Sequence, residues 1–599
     1  MKSIILQPLL SPVKTDVVIP GSKSYTNRSL LMAAMTKNKV KIINPLFCDD
    51  TQSMIKCLKT LGVRIDVFKN SIEVVGSIED IKDKTYELYV NLSGTTLRFI
   101  LPLLAVVPGI KVIKGKEELN KRPIKELVDT LRQLGGNIDY LNQQDHPPLR
   151  INSSKLKKRA LSLSGKVSSQ YVSALLMVAP LINGITVKIK GIQVSKPYID
   201  MTIDCMKKFG INVINETYKK YIVPNNQTYK IRQYTVEGDF SSAGYFLAIA
   251  ALTKSTLTLK NLKNNSVQAD RKILDILKKM GNKITHDNNE ITIQGKGIKA
   301  TEINMIDFPD QAQTLSVLAA FADGITKLSG IQSLRVKETE RIIALENELK
   351  KMGMRTSSTA NSLIIYGGNP KPTRINTYGD HRMAMSFAVL GTKLSGIEIN
   401  DPDVVNKTFP DFWKKLNSIG IKTELINTRN IVLIGMRGSG KTTIAKLLSQ
   451  KLNRDYLELD ELMVKRIGMN IPEIIEEYGW DFFRDQESEI AKKISSYEDK
   501  IISTGGGIVT RSKNIKAIRK NGFIILLRAS VETLSHRIGD DLNRPSLIYG
   551  KSSKDEIDEL LNQRKNLYEE AADEIIDIDN LKPVDVVNNI YLIIKKKRI

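Results

Sequence analysis

A chain of 599 residues with 41% hydrophobic and 26% charged side chains has the composition of an ordinary globular protein, which excludes disordered and fibrous classes. At about 150 residues per domain it holds three to four domains, each able to bury a core. The formal charge of +25 is concentrated early, with 62 Lys and Arg against 38 Asp and Glu in residues 1–430 and 28 against 27 in the remainder. Such an excess suits nucleic acid or small multiply charged anions. Aromatics at only 6%, and charges scattered along helical patterns, favour the anions. No run approaches about 18 apolar residues, and the opening MKSIILQPLLSPVK is too short in apolar length for a signal peptide. The expectation is a cytoplasmic protein with no membrane or nucleic-acid partner. Cys48, Cys57 and Cys205 are odd in number, have no metal-ligand spacing, and read as reduced core thiols.

In chain order, PGSKSYTNRSLLMAA places Lys23, Ser24 and Arg28 at the start of an apolar helix, where anions are stabilised. Further segments carry more polar and cationic detail than a core needs. They are Ser93-Gly94-Thr-Thr-Leu-Arg98, Arg122-Pro123, Ser168-Ser169-Gln170, Ser195-Lys-Pro-Tyr198 and Asp310 in DFPDQAQT, then Lys337-Glu338-Thr-Glu-Arg341, Asp380-His381-Arg382 and Lys407 in NKTFPDFW. Taken singly, each cation reads as a solvated surface charge.

One phrase recurs through this region: LKTLGVRI, LRQLGGNI, MKKFGINV, LKKMGNKI, LKKMGMRT and LNSIGIKT, with glycines at 62, 135, 210, 281, 353 and 420. Each copy reads as the last turn of an amphipathic helix, a glycine able to take positive φ, and an entering strand. Six copies about every 70 residues imply a mixed α and β module, longer than the roughly 20 to 50 residue solenoid classes. The series ends at Thr423, and the polar joint Asn427-Thr-Arg-Asn430 sets a boundary near 427.

Beyond it, the apolar strand Ile431 to Ile434 leads into Gly435-Met-Arg-Gly438-Ser439-Gly440-Lys441-Thr442-Thr443 and then a helical pattern. In that context the G-x-x-x-x-G-K-[ST] string is a phosphate cradle: backbone N–H groups turn toward phosphate oxygens, Lys441 reaches the β/γ-phosphates and the Thr442 hydroxyl can ligate Mg²⁺. YLELDELM, GWDFFRDQE, TGGGIV, DLNRPSL and QRKNLYEEAAD follow.

As a set, the front segments resemble the 5-enolpyruvylshikimate-3-phosphate synthase family over about residues 5–424. The resemblance implies an α+β body of six βαβαββ-type units in two globular halves, about 20–235 and 1–19 plus 236–426, with substrates in the cleft between them. It implies that Ser24, Arg28, Ser168, Ser169, Gln170, Ser195, Tyr198 and Lys337 bind shikimate 3-phosphate. Lys23, Gly94, Arg122, Gln170, Arg341, Arg382 and Lys407 would clamp phosphoenolpyruvate. Enolpyruvyl transfer needs a base for the attacking hydroxyl and an acid for the methylene carbon; Asp310 is the candidate for the first, with Glu338 and Lys23 as the proton-handling pair for the second. His381 is either catalytic or a satisfied structural histidine. Leu92 stands where family members often have Asn, and Ser333 likewise.

Residues 430 to about 590 resemble shikimate kinase, implying an α/β P-loop domain with a parallel sheet over 427–599. Asp460, Arg484, Gly505, Gly506, Gly507 and Arg564 match shikimate-binding positions, and Arg544 the lid arginine over the ATP phosphates. Asp460 could deprotonate the attacking hydroxyl, while Lys441 and Arg544 neutralise charge at the γ-phosphate. Glu458 replaces the Asp usual there and is a possible Mg²⁺ ligand; Asn566 replaces a common Pro. Together the halves imply a bifunctional enzyme using shikimate, ATP with Mg²⁺, shikimate 3-phosphate and phosphoenolpyruvate, the transferase needing no cofactor. The alternatives are a catalytically silent half or a basic nucleic-acid-dependent ATPase.

Overall fold

The computed structural model describes residues 2–156, 160–165, 168–427, 429–538, 553–597 and 599. The chain divides into two units, Ile4–Glu424 and Leu425–Ile599, the first residues being assigned to the latter.

Among the described residues the front unit is built on six four-stranded sheets, five of which combine parallel and antiparallel pairs. In one of them Thr85–Tyr89 runs parallel to Ile110–Lys114, which pairs antiparallel with Leu149–Asn152, itself antiparallel to Asn137–Tyr140. Alternation sets the buried face: Tyr86 and Leu88 point inward while Thr85, Glu87 and Tyr89 face solvent. The crossover helix Gly94–Val106 is apolar nearly all round, as a helix packed on every side must be. All six phrase glycines have positive φ, from +81° at Gly353 to +107° at Gly62, so each stops a helix where a Cβ would strain the chain.

Two hydrophobic cores form. One gathers residues from Tyr25 to Val236, around the helices Lys23–Ala34, Gly94–Val106 and Ser169–Val178. The other joins Ile4, Leu6, Val17 and Ile19 to residues from Phe240 to Ile421, around Phe240–Thr253, Ala312–Ala319 and His381–Gly391. The chain passes between the cores twice, and the two passes bridge each other antiparallel at Gly21 and Gly238. Ser22 N donates to Glu237 O at 2.8 Å and Asp239 N to Pro20 O at 2.9 Å. Glycine is required at both crossings, because a Cβ at Gly21 would meet the Asn44 carbonyl at 2.1 Å and one at Gly238 the Asn261 carbonyl at 2.1 Å.

The rear unit holds a five-stranded parallel sheet in the order Asp455–Glu458, Lys500–Ser503, Asn430–Ile434, Gly522–Arg528, Glu574–Asp577. Asn430–Ile434 is the central strand, buried along its length, which is why it reads as a continuous apolar run. The strand order switches direction around it, and the glycine loop leaves its carboxyl end, where ligands bind in such sheets. Among the described residues no helix is long and apolar enough to cross a membrane.

Candidate active sites

In the front unit the first-turn residues of six helices meet around one cavity of about 730 Å³. Lys23 and Ser24 open Lys23–Ala34; Thr95 and Arg98 lie in Gly94–Val106; Ser168, Ser169 and Gln170 cap and open Ser169–Val178. Ser241 and Ser242 open Phe240–Thr253, Asp310 lies in the turn Pro309–Gln311 ahead of Ala312–Ala319, and Arg382 opens His381–Gly391. Helix amino termini carry partial positive charge, so the cavity favours anions before any side chain is considered. Arg28, Ser195, Tyr198 and Lys337 also line it.

Asp310 is the hub of an ion-pair lattice. It faces Arg382 Nη2 at 3.1 Å, Arg341 Nη1 at 3.3 Å and Lys337 Nζ at 3.6 Å, and accepts from the Tyr198 hydroxyl at 3.4 Å. Glu338 takes Arg341 Nη2 at 2.7 Å and Lys407 Nζ at 2.8 Å, with Arg122 Nη1 at 3.9 Å. Gly94, Arg122, Glu338, Arg341 and Lys407 do not line the cavity itself. Ion pairs tie the last four to one another or to Asp310, and Gly94 lies beside the guanidinium groups of Arg98 and Arg122, 3.5 and 3.6 Å from where a Cβ would stand, which is ordinary contact.

Charge decides which groups can move protons. Burial pushes the Asp310 carboxyl up, but Arg382, Lys337 and Arg341 outweigh it and hold it far below the usual carboxylate range. Glu338 is held well below its usual value in the same way, burial being outweighed by Lys407 and Arg341. Burial works against the Lys23 ammonium, yet the Asp50 carboxylate 2.9 Å away leaves its pKa raised to about 12. Among the three proposed proton handlers, Lys23 therefore carries a proton and the two carboxylates are acceptors. Arg28 spends its donors on the Thr202 hydroxyl and the carbonyls of Ser24 and Tyr198, and burial lowers its pKa. Gln170 accepts from Arg98 Nη1 at 2.7 Å and donates to Thr95 at 3.2 Å, which fixes its amide.

His381 is buried, its Nδ1 stands 3.6 Å from Asp380 Oδ1, and among the described residues neither ring nitrogen has a hydrogen-bond partner. Burial holds it neutral, its pKa well below the ordinary value. Leu92 packs against the first core, Asn91 beside it takes φ +51°, and Ser333 lines the cavity.

In the rear unit the loop from Gly435 to Thr443 joins the central strand to helix Lys441–Leu452, with Gly438 at φ +83° and Gly440 at φ +80°. Lys441 Nζ donates to the Gly435 and Met436 carbonyls, both at 2.9 Å. The Thr442 hydroxyl donates to Glu458, which also accepts from the Tyr456 hydroxyl. Asp460 lies in the first turn of Leu459–Ile467. The TGGG run brings the expected residues together: a Cβ at Gly505 would stand 3.1 Å from Asp460 Oδ1, and one at Gly507 only 2.0 Å from Arg484 Nη1. Arg484 is held by Glu487 at 2.9 and 3.0 Å and stacks on Trp480 and Phe483. Arg564 Nη1 donates to Gly506 O at 3.4 Å. Arg544 lies outside the described residues.

Residues 9–416 match the family model of EPSP synthase (3-phosphoshikimate 1-carboxyvinyltransferase). The chain belongs to the EPSP synthase family. Residues 437–595 match shikimate kinase, so the EPSP synthase domain is followed by a shikimate kinase domain. The 3-phosphoshikimate 1-carboxyvinyltransferase of Vibrio atlanticus is 37% identical over 430 residues, which are 70% of this chain and 100% of that protein. The pentafunctional AROM polypeptide of Schizosaccharomyces pombe is 36% identical over 607 residues, 93% of this chain; the chain spans 38% of that polypeptide's length. The solved EPSP synthase of Acinetobacter baumannii superposes with a TM-score of 0.62 at 25% identity, covering 71% of this chain and 100% of that one.

Sequence reasoning missed several groups around the EPSP synthase and kinase sites. Asp50 pairs with Lys23 from 27 residues away, and Asp239, Ser241 and Ser242 line the front cavity; the DFSS run after Gly238 was the available signal. In the kinase domain Arg537 and Pro583 join Ser439, Gly440 and Thr443 around a pocket of about 260 Å³ beside the phosphate loop. A guanidinium and a proline ring suit a flat aromatic base, but nothing local in either residue's sequence announces it.

Proposed function

We propose that this chain phosphorylates shikimate at its 3-hydroxyl with ATP in the rear unit and, in the front unit, transfers the enolpyruvyl group of phosphoenolpyruvate to the 5-hydroxyl of shikimate 3-phosphate. The observation that carries the reading is the cavity ringed by six helix amino termini and lined by Lys23, Arg28, Lys337 and Arg382, which suits two multiply charged anions. The six four-stranded sheets are copies of one βαβαββ unit. The natural domain limits are 1–426 and 427–599, with halves 20–235 and 1–19 plus 236–426.

In the front site Ser24, Arg28, Ser168, Ser169, Gln170, Ser195, Tyr198 and Lys337 hold shikimate 3-phosphate. Lys23, Gly94, Arg122, Gln170, Arg341, Arg382 and Lys407 hold phosphoenolpyruvate. In the addition the 5-oxygen loses its proton toward Asp310 and bonds to C2, while Lys23 delivers a proton to the methylene carbon. In the elimination that carbon returns a proton, Glu338 being the nearby acceptor, and the C2–O bond to phosphate breaks. The ionised state of Asp310 and Glu338 and the protonated state of Lys23 support these directions.

In the rear site Gly435 to Thr443 cradle the ATP phosphates, with Arg544 as a further cation, and Asp460, Arg484, Gly505 to Gly507 and Arg564 hold shikimate. The Thr442 hydroxyl and Glu458 carboxylate meet beside the phosphate loop and are hard oxygen donors of the kind Mg²⁺ takes. When bound there, Mg²⁺ neutralises phosphate charge. Arg537 and Pro583 flank the nucleoside. Partners are small anions in the cytoplasm, with no nucleic acid or membrane involved.

The test is full-length protein with shikimate, Mg·ATP and phosphoenolpyruvate, with ADP and inorganic phosphate followed separately. Both are expected, with shikimate-dependent phosphate lost in Lys441→Ala and restored by added shikimate 3-phosphate, and lost without rescue in Lys23→Ala. ADP without phosphate would mean a silent front half; neither product would sink the reading.

A further inference from the structure

We propose that Glu348 is a positioning residue for the phosphoenolpyruvate clamp, holding the Asn376–Asp380 turn against its own helix so that Asp380 aims Arg341 and Arg382. The inference rests on the reading of those two arginines given above.

Glu348 lies on helix Arg341–Lys351, seven residues and two turns after Arg341, with its side chain fully buried. Its Oε1 accepts from the Tyr378 hydroxyl at 2.6 Å and from Lys351 Nζ at 2.7 Å. Its Oε2 accepts from Lys351 Nζ at 2.9 Å and from the backbone N of Asn376 at 3.2 Å. Two of these four bonds go to the turn that precedes His381–Gly391.

That turn needs holding. Tyr378 has φ +54° and Gly379 φ +66°, and the left-handed region is costly for a bulky aromatic residue. Asp380 N donates to Thr377 O at 2.8 Å, closing the turn. Asp380, fully buried, then accepts from Arg341 Nε at 2.7 Å and Nη2 at 3.3 Å, and from the backbone N of Arg382 at 2.8 Å.

Helix and turn are thus joined at two places. Asp380 meets Arg341 at the helix start, and Tyr378 and Asn376 meet Glu348 two turns later. One attachment alone would let the turn pivot about the Asp380–Arg341 pair, whereas the second fixes its orientation. Neither Glu348 nor Tyr378 lines the cavity, so each reaches the substrate only through Arg341 and Arg382. Lys351 balances the Glu348 charge, which leaves the carboxylate's turn-facing bonds as its distinctive contribution.

Tyr378→Phe removes one hydroxyl, and Glu348→Gln keeps the shape while replacing an acceptor oxygen with a donor facing Asn376 N. In full-length protein, hydrogen exchange at the Arg382 amide is expected to speed about tenfold in both variants, since Asp380 caps that N–H. The KM for phosphoenolpyruvate is expected to rise about fivefold or more while the KM for shikimate 3-phosphate and all kinase constants stay put. Should Glu348→Gln fail to fold, Tyr378→Phe carries the test. Unchanged Arg382 exchange in the folded variant overturns the proposal whatever the kinetics. A fall in kcat alone, with both KM values intact, overturns it as well, because that is what a lost fraction of active protein produces. Faster exchange in a protein whose wild type turns over no phosphoenolpyruvate supports the clamp on the turn and sinks the reading of the site instead.

Discussion

Half-buried Asp310 and buried Asp270 lie within reach of the same arginine and titrate in opposite directions. Asp310 has Arg382 directly on it at 3.1 Å and stays ionised. Among the described residues Asp270 receives only the Ser241 hydroxyl and its Oδ1 has no partner, and burial outweighs Arg382 to push it up to about 7. A raised carboxyl pKa means that the folded state prefers the neutral acid. Its contribution is fully present below about pH 4, near the unfolded value, and is lost as pH rises through 7. Asp270→Asn is therefore expected to raise the thermal midpoint at pH 8 in the absence of substrate, the gain fading to nothing below about pH 4 in a fluorimetric pH series. In the kinase domain Gly507→Ala would drive a methyl into the Arg484 guanidinium, so the KM for shikimate should rise roughly tenfold or more while that for ATP moves less than about twofold. Residues of this kind divide by legibility. Lys441 and Arg382 sit in long, distinctive strings; Asp270, Glu348 and Arg537 acquire their surroundings from segments distant in the chain, and no local pattern marks them.

At the scale of elements, the six phrase glycines are one device used repeatedly, and comparing one of them with Gly109, which also has positive φ, separates two costs of substitution. Among the described residues a Cβ at Gly353 would meet nothing within 4 Å, so Gly353→Ala should cost only the left-handed backbone term, about 1 kcal/mol, seen as a fall of about 1 °C in the front unit's melting midpoint. At Gly109 a Cβ would meet the Lys84 carbonyl at 2.1 Å, and Gly109→Ala should lower that midpoint by clearly more. The same helix ends explain part of the basic excess. Lys59, Arg132, Lys207 and Lys208, Lys278 and Lys279, Lys350 and Lys351, and Lys415 lie in the last turns of the helices that the phrases close, facing the negative ends of their dipoles. The helix stops were readable in the sequence because a glycine and its flanking pattern are adjacent. The convergence of six helix starts on one cavity was not, because it depends on how sheets and helices pack.

For the whole molecule, the charge asymmetry between the units predicts different responses to salt. Raising ionic strength from about 0.05 to 0.3 M shortens the screening length to near 6 Å. The KM values for phosphoenolpyruvate and shikimate 3-phosphate should rise several-fold, and the KM for shikimate in the near-neutral kinase domain should move little. A polynucleotide added at low salt should leave ATP turnover unchanged. The presence of an EPSP synthase domain and a shikimate kinase domain was legible from their strings. That residues 4–19 return to the second core was implied only by the resemblance to a family, since an apolar amino-terminal strand pairs as well, by pattern, with any sheet.

The twice-crossed connection at Gly21 and Gly238 also sets an order of events during synthesis. Residues from Tyr25 to Val236 form a core that is contiguous in the chain and complete once they have emerged from the ribosome. The second core needs Ile4 and Leu6 together with Phe412 and Ile421, so these two residues wait for partners more than four hundred positions later. At about 5–20 residues per second that wait is roughly 20–80 s. The segment around Ile4 and Leu6 therefore spends the making of the front unit without its final neighbours, and its exposure is a matter for the cell's chaperones before it is a matter of stability.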